Sequence, residues 1–190
     1  MPSLIRAWSQ RAAVSIALLY PFIVWLGLSS GYFYTLFVVL LLVFLLRLSF
    51  LRRMTGIVKH LSLITASIGS LLVLMGLLFR QADWLLFYPV LINTTMLFVF
   101  AGSLFLKQSV IEQLARIRQP DLPVAGVLYT RRVTQVWCVF FVVNGLIAFM
   151  TAWLGDLQLW ALYNGLVSYL LIGLLLVLEW IIRKKHLKTH

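Results

Sequence analysis

Carboxylates are scarce in this chain. Five Asp and Glu stand against sixteen Lys and Arg in 190 residues, and charged residues of both signs make up only 11%. Soluble domains carry about 25% charged residues, so the shortage excludes an ordinary water-facing surface. It also leaves no pair of carboxylates spaced for catalysis. Cysteine is nearly missing: Cys138 alone excludes an internal disulfide and a thiolate cage for a metal, and within an apolar run it reads as inert packing. Of the three histidines, His60, His186 and His190, the last two have i,i+4 spacing, but they sit on a basic chain end of the kind that frays. No metal site is expected, and no cofactor either: there is no glycine-rich phosphate loop and no nucleophile with an evident base.

Apolar residues are abundant, at 63% of the chain, and the mean hydropathy is strongly positive. A bilayer core of roughly 30 Å takes about 20 apolar residues per helix. The expected fold is therefore all-α, a single integral membrane domain over 1–190. Six transmembrane helices are expected at 12–29, 32–51, 61–79, 84–106, 135–154 and 158–182. Helix is the expected state of each, because an open strand edge leaves backbone groups unsatisfied in lipid. The connections at 30–31, 80–83 and 155–157 are short, whereas 52–60 and 107–134 are longer and polar, which suggests three hairpins in series. The first apolar run exceeds a signal-peptide core and a second follows at once, so it reads as a retained anchor.

Fifteen of the sixteen Lys and Arg fall on one side if the N-terminus is inside; only Arg80 falls outside. The positive-inside rule then places both termini in the cytoplasm. A second expectation comes from tryptophan, which favours the interfaces: Trp8, Trp137 and Trp180 would mark the inner boundary, and Trp25, Trp84, Trp153 and Trp160 the outer one.

The longest polar stretch follows the fourth span. Val110, Ile111, Leu114 and Ile117 recur at helical intervals, with Glu112 and Arg116 paired on another face, so 108–118 reads as an amphipathic helix at the cytoplasmic surface. Pro120, Asp121 and Pro123 favour a turn, Gly126 permits an unusual backbone conformation, and 129–132 lead the chain back to the membrane. Arg131 and Arg132 would then lie at headgroup depth. They serve either as snorkelling anchors or as a docking surface for an anionic group, because guanidinium forks match phosphate geometry. The one-sided charge attracts an acidic partner or anionic lipid; nucleic acid is not expected, since no binding module accompanies the charge.

Within the spans, Asn93 and Asn144 fall near mid-membrane and Asn164 somewhat outward. They read as interhelical hydrogen-bonding groups or as the polar lining of a cavity. Pro89, one turn before Asn93, is placed to bend its span and free a carbonyl. Two charges are embedded in spans. Arg47 is near enough to the inner end to snorkel, and Glu179 can pair with Arg183 one turn later. A functional alternative brings Arg47, Lys107, Arg131, Arg132 and Glu179 together as a headgroup or carrier site. Ser62, Ala66 and Ser70 in the third span allow close helix approach.

The stretches "YPVLINTTMLFVFAGSL", "IEQLARIRQPDLP", "YTRRVTQVWCVFFVVNG" and "WALYNGLVSYLLIGLLLVLEW" resemble a small bacterial inner-membrane family encoded beside aryl-polyene or related lipid-like biosynthesis genes. The resemblance covers residues 88–180. It implies neighbours such as acyl carrier proteins and acyltransferases, and it brings no catalytic residues. The label "ketosynthase" carried by some members does not fit a chain without a soluble condensing domain. Acyl carrier proteins are acidic and would suit the basic face. The leading expectation is a non-enzymatic accessory or scaffold protein for synthesis or handover of a lipid-like intermediate. A lipid or small-molecule transporter or flippase is second, and a membrane-embedded transferase third, with Glu179 its one intramembrane carboxylate.

Overall fold

A computed structural model describes residues 20–31, 35, 37–42, 56–79, 83–117 and 119–188. Every regular element among them is helical: α1 (Tyr20–Ser29), a piece at 37–42, α2 (Gly56–Phe79), a 3₁₀ turn (Asp83–Phe87) running into α3 (Tyr88–Ser103), α4 (Val110–Arg116), α5 (Val124–Leu154), α6 (Leu157–Leu162), a π-helical turn (Tyr163–Val167) and α7 (Ser168–Lys188). The all-helical expectation therefore holds for the described residues.

Three helical stretches among them are long and apolar enough to cross a membrane, not six: Asp83–Ser103, Val124–Leu154 and Leu157–Lys184. The apolar stretches Tyr20–Ser29 and Leu63–Phe79 are shorter. Of the span expected at 12–29, residues 12–19 lie outside the described residues, as does all of the one expected at 32–51 except 35 and 37–42, while the one expected at 61–79 is the greater part of α2. In the three long stretches only 28%, 22% and 11% of the most apolar window is buried. Leu170, Leu174 and Val177 of α7 face outward, as do Val139, Val143 and Leu146 of α5. An apolar surface of that extent suits lipid and not water.

Helix ends follow local chemistry. Asp156 caps α6 by accepting from the N–H groups of Gln158 (2.9 Å) and Leu159 (3.0 Å). Gly155 adopts φ +69°, a left-handed turn that only glycine makes without strain, and so permits the two-residue connection from α5. Ser109 caps α4 by accepting from the Glu112 N–H, and the Pro123 carbonyl accepts the Val127 N–H at the start of α5. α5 thus begins directly after Pro123, eleven residues before the expected span. Residues 129–132 are helical and not a loop, because nothing beyond Pro123 breaks the helix. Gly126 is helical too. A side chain there would meet Leu122, with a Cβ only 2.9 Å from its Cγ, so the glycine provides room and not an unusual φ.

The chain divides into two compact units, 1–89 with 148–167 and 90–147 with 168–190. In the first, Trp160, Phe37, Leu40, Leu85, Val24 and Val73 are fully buried. Pro89 withholds the N–H that the Leu85 or Leu86 oxygen would otherwise receive at this point of a helix. The Tyr20 hydroxyl donates to the Leu85 carbonyl and the Trp160 indole Nε1–H to the Leu86 carbonyl, each at 2.9 Å. The Tyr20 and Tyr88 ring centroids are 4.3 Å apart. Gly165 admits Phe22, whose Cζ would lie 3.1 Å from a Cβ at that position. Ala66 and Gly69 of α2 are buried, in keeping with packing by small residues.

The second unit is built around Trp137, Phe100 and Phe141, with Phe100 and Phe141 edge to face at 5.1 Å. Trp137 and Trp160 make protein contacts that their sequence positions did not show. Both are buried, one in an aromatic cluster and the other on a backbone carbonyl. Trp84, Trp153 and Trp180 are exposed.

Candidate functional site

In the second unit, α3 ends in a chain of i→i+3 bonds: the N–H groups of Leu104, Phe105 and Leu106 donate to the carbonyls of Ala101, Gly102 and Ser103, each at 3.1 Å. The Ser103 hydroxyl donates to the Phe100 carbonyl at 2.7 Å and accepts the Val110 N–H at 3.0 Å, fastening α4 to the end of α3. Arg131 on α5 completes the fastening. Its Nη2 donates to the Leu104 carbonyl at 2.8 Å, which brings α5 beside the turn that carries Lys107. One guanidinium bond is spent on structure, and the exposed remainder of the fork stays available to an anion.

Arg132 and Lys107 are exposed and have no hydrogen bond or ion pair among the described residues. Arg132 follows Arg131 by one residue on α5 and so projects about 100° around the helix from it. Of the carboxylates nearby, Asp121 is exposed and has no hydrogen bond or ion pair among the described residues, while Glu112 and Glu179 are engaged. Glu112, 4% exposed, takes Nε and Nη2 of Arg116 at 2.9 Å each, and Arg116 also donates to the Pro120 carbonyl at 2.7 Å. This is the expected i,i+4 pair, with the carboxylate buried. Glu179 pairs loosely with Arg183 at 3.7 Å, as the spacing suggested. The Tyr129 hydroxyl donates to the Glu179 backbone carbonyl at 3.2 Å and lies 3.4 Å from its carboxylate, tying α5 to α7. Lys184 lies over the Trp180 ring at 3.7 Å from its centroid, a cation–π contact.

Of the five residues expected to converge, Arg131 and Lys107 share the turn after α3, while Glu179 belongs to a separate set with Tyr129 and Arg183. Arg47 lies outside the described residues. Tyr129 and the Leu104 carbonyl were not foreseen. Tyr129 is 50 residues from Glu179, so no local spacing signals their meeting.

The polar residues expected within the spans form two sets, one in each unit. In the second, the Asn144 Nδ2 donates to the Asn93 Oδ1 at 3.0 Å, with both residues buried. The neighbouring Gly145 lets α3 and α5 close together, because a Cβ at that position would stand 3.1 Å from the Asn93 Cβ. In the first unit, the Asn164 Nδ2 donates to the Thr151 hydroxyl at 3.1 Å and to the Trp160 carbonyl at 3.0 Å. Asn164 lies in the π turn, where the backbone ladder slips its register, and its amide serves a carbonyl at that slip. Both sets are hydrogen-bonded between protein groups, as helix-joining residues are. Among the described residues no three His, Cys, Asp or Glu gather at metal-binding distance.

No protein-family model, no curated protein and no solved structure matches this chain.

Proposed function

We propose that this chain is a multi-pass inner-membrane accessory protein that organises or hands on a lipid-like biosynthetic intermediate, with six crossings and both termini in the cytoplasm. Its basic inner rim contacts the anionic headgroup of that intermediate or an acidic acyl carrier protein. The partner class follows from the resemblance to the aryl-polyene-associated family; the sidedness follows from fifteen of sixteen cations falling on one side.

The observation that carries the reading is the contrast at the rim. Glu112 is held by Arg116 and Glu179 by Arg183, while Arg132 and Lys107 are exposed beside an Arg131 that a backbone carbonyl holds in place. With Glu112 and Glu179 engaged, the exposed Lys107, Arg132 and free side of Arg131 outnumber the one exposed carboxylate nearby, Asp121, and that balance favours an anionic visitor. The direct Asn93–Asn144 bond and the tight Gly145 contact favour a packed scaffold over a flippase, whose asparagines would border a cavity. The engagement of Glu179 by Tyr129 and Arg183 disfavours a transferase that needs it as acid or base.

The test is replacement of Arg131 and Arg132 by glutamine in the full chain. Retention of acidic carrier protein and of anionic vesicles falls, and the difference from the native protein shrinks as salt rises. Unchanged retention of both removes the docking role.

A further inference from the structure

We propose that the turn at 104–107 is inserted in the bilayer at the leaflet where α3 ends. In that placement Phe105 and Leu106 lie among the acyl chains and Lys107 reaches back to the phosphates. The inference rests on the membrane reading above but not on the scaffold role.

Exposure comes first. Phe105 is 90% exposed and Leu106 66%; past α4, Ile117 is 73% exposed, while within α4 Leu114 is exposed and Val110, one turn before it on the same stripe, is buried. These side chains are not displayed by a loose loop: three backbone turn bonds, the Ser103 relay and the Arg131–Leu104 bond hold the segment that carries them. Depth comes second. The stretch Asp83–Ser103 has 21 residues, and at about 1.5 Å per residue it already spans roughly 30 Å, the thickness of a hydrocarbon core. The chain therefore leaves the core at about Ser103, and Phe105 and Leu106 sit at the boundary.

A turn projecting from there into water would expose a phenylalanine and a leucine at almost full area; a turn lying along the surface continues the apolar surface of the spans into the headgroup layer. The adjacent cation fits that placement, since a lysine stem can run beside acyl chains with its ammonium at phosphate level. The occupant of the apolar surface is thus phospholipid.

The test places an environment-sensitive fluorophore on single cysteines in a Cys138→Ser background, with the full chain reconstituted in vesicles of phosphatidylethanolamine and phosphatidylglycerol. Phe98→Cys labels an exposed position within α3, Phe105→Cys the turn, and Gln119→Cys the exposed polar connection before α5. With lipids brominated on the acyl chains, the labels at 98 and 105 lose most of their emission and the label at 119 keeps it. A label at 105 that stays bright and water-exposed like the one at 119, while 98 is quenched, overturns the insertion. A label at 105 shielded from water but not quenched overturns it in favour of protein contact. If 98 itself is unquenched, the membrane reading fails and takes this inference with it.

Discussion

The phenol of Tyr20 donates to the carbonyl oxygen of Leu85 at 2.9 Å, at a place where the proline at 89 has no N–H to offer. The side chain stands in for a missing backbone donor, because a buried carbonyl left without a partner is costly in a low-dielectric setting. Tyr20→Phe is expected to destabilise the protein by about 1–3 kcal/mol. Pro89→Ala restores an N–H in the first turn of α3, so the loss from Tyr20→Phe should be smaller in the Pro89→Ala background. Thermal unfolding in detergent of the four proteins of that cycle measures the coupling.

Asn93 and Asn144 make a second cycle. Each single leucine substitution removes the bond between them and deprives the remaining buried amide of one partner. Across such cycles in membrane helices the coupling averages about 0.6 kcal/mol and reaches about 1.7, and the upper half of that range is expected here because both residues are buried. The double variant should lose less than the sum of the two singles. Full additivity would show that the two amides are not energetically joined.

Arg131 and Arg132 are neighbours in sequence with different work. Arg131→Gln removes the bond to the Leu104 carbonyl and should lower both the melting temperature and the retention on anionic vesicles. Arg132→Gln should lower retention alone and leave stability within about 0.5 kcal/mol, the usual range for a surface substitution. Equal thermal effects would contradict this division.

Glu179→Gln keeps the backbone carbonyl that accepts from Tyr129, and its amide still has an acceptor oxygen. The variant should fold, and mass spectrometry of co-purifying lipid should find the species carried by the native protein. A changed lipid product would mean that the carboxylate moves protons during a reaction.

The helical elements were legible because apolar runs of span length leave lipid few alternatives to helix. The consequence of Pro89 was legible as well, since a missing N–H is a local property. What satisfies the freed carbonyls was not: Tyr20 and Trp160 lie 65 and 74 residues from the positions they serve. The start of α5 was misplaced because Thr130, Arg131, Arg132 and Thr134 resemble a connection in composition, although Pro123 supplied a start signal and no breaker followed it. The partners of Trp137 and Trp160 were not legible either: an indole suits an aromatic core or a buried carbonyl as well as an interface, and only tertiary contacts show which groups it meets. Asn164 was singled out as polar, but the π turn around it leaves no composition signature.

The 31 residues of α5 make a rod of roughly 46 Å, about half as long again as a hydrocarbon core. Arg131, Arg132 and Asn144 stand on that one unbroken helix, so the spacing of their backbones is set by helical rise alone, while the two arginine side chains keep their own rotamers. A group that docks on either arginine therefore meets a backbone that cannot lengthen or shorten toward the buried Asn93–Asn144 bond.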